Sequence, residues 1–211
     1  MSKHECIFTG RYTMAIAKGS ARQRILQSAH ALFYRRGIGA VSLDAIAEQA
    51  GVTKRTIYYH FESKDDLVAS YVASRDQPNI DFYESCFERA PGSLPDKIEA
   101  MFTEIGRQSR GPRWQGCGFL RAAAELIDTP GHPALKAGAR HKKRLEVWLA
   151  SKLSDTFTPA DAESLARQVS ILLDGAFSVL LIHRDAAYAE AAGKAAAILI
   201  KERALLRNEA V

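Results

Sequence analysis

The sequence predicts an all-α protein of about nine helices. Three observations lead there. Apolar residues recur at spacings of three and four along most of the chain. No run of period-two alternation flanks an Asn-Gly or Asp-Gly turn, so no hairpin is signalled. Alanine-rich helix formers dominate the last third. With 211 residues, 47% hydrophobic and 25% charged, the chain has the composition of an ordinary globular protein. It is long enough for one large domain, or for a small one fused to a larger.

Residues 1–19 mix Gly, Thr, Ser and Lys without periodicity and are expected to form a flexible arm, with Met14 as an alternative start of translation. From Ser20, the residues Ile25, Leu26, Ala29, Leu32 and Phe33 fall on one helical face, and Gly37 and Gly39 stop that helix. Ser42 caps a second, short helix carrying Leu43, Ile46, Ala47 and Ala50 inward. Gly51 breaks it, and Thr53 caps a third from about Lys54 to His60. Ser63-Lys64-Asp65-Asp66 reads as a cap with acids in the first turn, opening a fourth helix with Leu67, Val68 and Tyr71 inward. Arg75 to Pro78 ends or kinks that helix.

Pro91 to Pro95 is a turn, followed by a stripe of Leu94, Ile98, Met101, Phe102 and Ile105. Gly111 to Gly118 is a loop bearing Trp114 and Cys117. Phe119 to Ile127, Ala134 to Leu153, Pro159 to His183 and Ala186 to Arg207 complete the helices.

Charge is unevenly spread. Residues 1–64 hold ten basic and four acidic residues, whereas residues 65–211 hold nineteen and twenty. The whole excess of the formal +5 therefore lies in the first third, as suits a polyanion-binding head on a near-neutral body. A basic tail with a solvated face has the same charge, so charge alone does not decide. Three widely spaced cysteines, Cys6, Cys86 and Cys117, offer neither a disulfide framework nor a metal-binding pattern. No stretch approaches roughly 18 consecutive apolar residues, and the start lacks a signal-peptide core, so a cytoplasmic protein is expected, with no membrane partner.

The segment from Val41 to Phe61 carries the functional signal. Two short helices joined by a tight turn at Gly51 form a helix-turn-helix, locked by Ile46, Ala47, Val52 and Ile57. The second helix then presents Lys54, Arg55, Thr56, Tyr58, Tyr59 and His60, a donor-rich surface on a rod narrow enough for the major groove. Phe61 reads as core; Tyr58 suits core and surface about equally.

Ala-Ile-Ala-Glu-Gln-Ala-Gly-Val-Thr, residues 45–53, followed by Thr-Ile-Tyr-Tyr-His-Phe-Glu-Ser-Lys-Asp-Asp-Leu, residues 56–67, resembles the DNA-binding domain of the TetR family of regulators. The resemblance spans about residues 20–70. It implies that Lys54 contacts bases and that Thr56, Tyr58, Tyr59 and His60 contact bases or backbone; Arg55 sits at a base-contacting position where many members carry a small residue, and contacts either a guanine or a phosphate. It further implies that Ser42 and Lys64 contact phosphates; the Thr53 cap joins this set. Asp44 is excluded, because phosphate repels a carboxylate. The implied layout is a flexible arm over 1–19, a DNA-binding domain over 20–66, and a helical ligand-binding and dimerisation domain over 67–211. The implied partners are a palindromic double-stranded operator, a second copy of the chain and a small-molecule effector. No cofactor or metal is called for. The implied function is a repressor released by a hydrophobic or aromatic ligand; a DNA-binding regulator or architectural factor without an inducer is the alternative.

By the same resemblance, Phe102, Trp114, Cys117, Phe119, Arg121, Trp148 and Phe177 are candidates to line the effector pocket. Aromatics on helical faces equally well form core, Arg121 and Glu125 equally well form a surface pair, and His141 falls in a basic run that reads as a solvated face. Leu165, Val169, Leu172, Ala176, Val179 and Leu180 form one late stripe; Ala187, Ala191, Ala195, Ile198 and Leu199 form another. Together they suit a four-helix dimer interface, or else they bury each other within one chain. No HExxH, GxSxG, Gly-rich phosphate loop or metal-spaced cluster points to an enzyme.

Overall fold

The computed structural model describes residues 19–209, so Met14, Cys6 and all of the expected arm but its last residue lie outside the described residues. Among the described residues there are ten helices and no strand: α1 Ala21–Arg36, α2 Leu43–Ala50, α3 Lys54–His60, α4 Lys64–Ser74, α5 Asp76–Arg89, α6 Leu94–Ser109, α7 Gly118–Glu125, α8 Pro133–Leu153, α9 Pro159–His183 and α10 Ala187–Glu209. The all-α expectation holds. The helix beyond the expected nine is α5. Pro78 has no N–H for the Ser74 carbonyl, so α4 stops and the chain turns helical again at Asp76.

The chain divides into two compact units, one of Met1–Asn79 with Cys117–His141 and one of Ile80–Gly116 with Lys142–Val211. The first takes in α7 and the start of α8.

In the first unit α1 packs on α2, α3 and α4. Its Ile25, Ala29, Leu32 and Phe33 are buried as the spacing requires. The Ser42 hydroxyl accepts from the Ala45 amide at 3.1 Å, and the Thr53 hydroxyl from the Thr56 amide at 3.1 Å. Between these caps Gly51 has φ 62° and ψ 44°, a left-handed turn that would cost a residue with a Cβ about 1–2 kcal/mol. Ile57 and Phe61, 1% and 2% exposed, anchor α3. α4 begins at the Ser63 cap, which accepts from Asp66 N at 3.1 Å.

In the second unit α10 lies along α6 and α9. Ile98, Met101, Phe102 and Ile105 of α6 are all fully buried. α9 is apolar and long enough to cross a membrane by length and composition alone, and it packs on α10 and α6. Leu165, Val169, Ala176 and Leu180 of its expected partner-facing stripe are buried inside the chain, so for these residues the intramolecular alternative holds. The outward face of α9 is instead Ile171, Gly175, Ser178 and Ile182. On α10 the stripe does face out: Ala187, Ala191, Ile198 and Leu199 are exposed and Ala195 is half-buried.

Candidate nucleic-acid interface

The surface of α3 is built by what its buried side holds. Ile57 and Phe61 turn inward, leaving Lys54, Arg55, Tyr58 and Tyr59 on the outside. Tyr59 is 84% exposed and Tyr58 51%, which settles the alternatives for Tyr58 in favour of the surface. Two large aromatic faces in water are an unfavourable use of apolar area unless something covers them. His60 is half-buried and meets Tyr59 edge-on at 5.0 Å. Thr56 is half-buried, with its hydroxyl 2.9 Å from that of Thr53. Ser42 and Thr53 are exposed at the mouths of α2 and α3; each hydroxyl accepts an amide.

Two lysines have partners that spacing did not reveal. Lys54 Nζ sits 2.9 Å from the Asp44 carboxylate, and that hydrogen bond, then the charge, hold the ammonium above its ordinary pKa. Asp44, excluded as a DNA contact, therefore acts on the one lysine that leads α3. Lys64 Nζ donates to the Ile38 carbonyl at 3.0 Å. An ammonium has three protons, so both lysines keep donors for a phosphate or a base.

α7 braces this head from later in the chain. Glu125 accepts from the amides of Ile38 at 2.5 Å and Gly39 at 3.1 Å. Gly37 fits this contact: its φ is 86°, and a Cβ there would come within 3.0 Å of the same carboxylate. Arg121 donates to the Tyr34 carbonyl at 2.7 Å, its guanidinium 5.6 Å from the Tyr34 ring. Arg121 and Glu125 are thus not a surface pair; each serves backbone groups eighty-odd residues away. His141 is likewise not on a solvated face. It is 1% exposed, its Nδ1 is 2.8 Å from Asp76 and its ring stacks on Phe119 at 3.7 Å.

The effector candidates divide between the units. Cys117, Phe119 and Arg121 fall in the first, and Phe102, Trp114, Trp148 and Phe177 in the second. Phe119, with His30, Tyr34, Tyr71, Arg75 and Asn79, borders a water-sized cavity of about 20 Å³. His30 there is held down to about 3 by burial and then by the charge of Arg75, so it is neutral at working pH; burial pushes Tyr71 up to about 12. Trp114 and Phe177 stack, centroids 6.4 Å apart. Phe102 packs against Gly193 of α10, where a Cβ would come within 2.8 Å of its own. Trp148 meets Tyr83 at 6.5 Å and Phe87 at 6.0 Å. The indole N–H groups of Trp114 and Trp148 are buried without an acceptor. Such an omission forfeits about 1–3 kcal/mol each. Burial, then Glu104, pushes the Cys86 thiol up to about 12, which removes it as a nucleophile at neutral pH.

Comparison with known proteins places this arrangement. Residues 25–71 match the family model described as bacterial regulatory proteins, tetR family. The uncharacterized HTH-type transcriptional regulator TtgW of Pseudomonas putida is 41% identical over 73 residues, 34% of this chain; the chain spans only about half of that protein's length, 54%. The HTH-type transcriptional regulator AcrR of Shigella flexneri is 29% identical over 170 residues, 76% of each chain. The crystal structure of a protein assigned as a TetR transcriptional regulator, from Streptomyces avermitilis, superposes with a TM-score of 0.68 at 31% identity, covering 80% of this chain and 90% of that one.

Proposed function

The chain belongs to the TetR family of bacterial transcriptional regulators, and on that footing we propose that it is a cytoplasmic homodimeric repressor that binds a palindromic operator and leaves it when a small hydrophobic or aromatic effector binds. The observation that carries the reading is the outer face of α3. Lys54, Arg55, Tyr58 and Tyr59 stand in solvent on a helix whose other side is locked by Ile57 and Phe61. Cations and aromatic rings together suit a groove lined by phosphates and base edges. Lys54 and Arg55 read bases in this proposal, with Thr56, Tyr58, Tyr59 and His60 beside them. Ser42, Thr53 and Lys64 position the head on phosphates. Residues 20–66 are the reading head, and residues 67–211 sense and dimerise.

Dimerisation is supported by the outward apolar rows of α9 and α10. Ile171, Ile182 and Ile198 are 66%, 74% and 57% exposed. A row of that kind is covered most simply by its own copy across a two-fold axis, and a two-fold dimer suits a palindromic operator.

The test is selection of duplexes from a random pool, followed by anisotropy titration of the enriched sequence across a salt series. A two-fold-symmetric site and affinity falling steeply with salt are expected. Failure to retain any duplex at 50 mM salt, about the low end of such a series, overturns the reading. One observation favours a regulator with no effector: Phe102, Trp114 and Phe177 are all but completely buried as the protein stands.

A further inference from the structure

Trp114 is an odd core residue. It belongs to the loop between α6 and α7, where Pro112 and Arg113 are exposed, yet none of its own surface is. Its indole N–H has no acceptor. Its ring lies nearly parallel to that of Phe177, at an interplanar angle of 14°. The Arg184 guanidinium sits 5.4 Å from the indole, and Arg184 Nη1 donates to the Trp114 carbonyl at 2.8 Å. Arg184 ends α9 with φ 56°; among the described residues it is the one non-glycine residue with positive φ. A residue held there and aimed at one loop carbonyl is placed at some conformational cost.

We propose that Trp114 fills the effector site as an internal stand-in, and that the effector is a planar aromatic carboxylate that displaces the indole and binds against Phe177 and Arg184. The inference rests on the regulator reading above and names the ligand for it. An indole with an unmade hydrogen bond regains that bond on moving into water, so it is an easier occupant to expel than a purely apolar ring. The space it leaves suits one or two fused rings, since a cavity on the order of 150 Å³ already holds benzene. A ligand ring keeps the stacking on Phe177. A carboxylate replaces the lost carbonyl on Arg184 with a charge-assisted bond, and the guanidinium fork receives it with both oxygens. Displacement also acts on the head through the chain itself. Cys117 leads directly into α7, whose Arg121 and Glu125 hold the backbone of Tyr34, Ile38 and Gly39. Drawing out the loop shifts the helix that braces the start of α2.

The test uses the full chain carrying Trp148→Phe, so that Trp114 is the sole tryptophan. Benzoate and 1-naphthoate are titrated, with benzamide and cyclohexanecarboxylate as neutral and non-planar controls. The expected result is a saturable red shift of tryptophan emission and greater acrylamide quenching with the aromatic acids alone. Arg184→Gln, at an exposed position, is expected to weaken the acids at least tenfold and to bring benzoate down to benzamide. Trp114→Ala, followed by calorimetry and checked for folding by circular dichroism, is expected to bind the acids at least tenfold more tightly because no indole has to leave. The proposal is overturned if Trp114 emission stays unmoved by both acids at millimolar concentration, or if Arg184→Gln binds them as wild type does. Neither readout involves DNA. A protein that binds its operator but ignores the acids loses this inference alone, and one that binds the acids but no duplex loses the regulator reading.

Discussion

Replacing Glu125 with alanine tests whether α7 braces the reading head. The carboxylate accepts two backbone amides, Ile38 at 2.5 Å in a part-buried setting and Gly39 at 3.1 Å nearer solvent. A hydrogen bond to a charged acceptor contributes about 1.5–3 kcal/mol when water is excluded, and less when water replaces the lost partner. Taking the low end for Ile38 and about 0.5 kcal/mol for Gly39 gives roughly 2 kcal/mol, a factor of about thirty. For a chain of this size that lowers the melting temperature by about 4–8 °C. The chain forms two compact units, so a single melt averages over them; amide exchange is the sharper assay. Ile38 and Gly39 are expected to lose protection by up to about thirtyfold in Glu125→Ala, and by less in Glu125→Gln, which keeps a neutral acceptor. Operator affinity should fall in parallel, since the turn after α1 sets the entry to α2. Wild-type exchange at both amides in Glu125→Ala would refute the reasoning, whatever happened to DNA binding.

Lys54→Ala should relax preference at one base pair by about ten- to a hundredfold, whereas Lys64→Ala should weaken all duplexes alike and lower the salt slope by about one; competition binding over single-base variants of the selected site separates the two. Ile171→Asp combined with Ile198→Asp, both on exposed positions, should give a folded monomer by sedimentation with greatly weakened operator binding; a dimer of undiminished stability would exclude the α9–α10 face. His30 is held at about 3 against an ordinary 6.5. Between those values the unfolded chain binds the extra proton, so stability should fall as pH drops from 6.5, by up to about 1.4 kcal/mol per pH unit, and be unaffected above it. Urea midpoints at pH 7, 6 and 5 for wild type and His30→Gln measure this, and parallel pH profiles would contradict it.

Much of the head was legible in the sequence because its determinants are local. Ser42, Thr53 and Ser63 cap helices through amides three residues on, and Gly51 turns the chain with its own φ. The inward Ile57 and Phe61 follow from helical period alone, and with them the outward face of α3. Tertiary packing decided the rest. Leu165 and Ile171 are equally apolar residues of one helix, and only the packing of α6 and α10 fixes which of them is buried. Arg121 and Glu125, four apart, looked like partners of each other, yet each binds a carbonyl or amide of the α1 region. His141 reads as one more member of a basic run until Asp76 and Phe119 enclose it. Helical period and capping act within one or two turns and so are written in consecutive residues, whereas contacts between residues more than sixty positions apart exist only after the helices have packed.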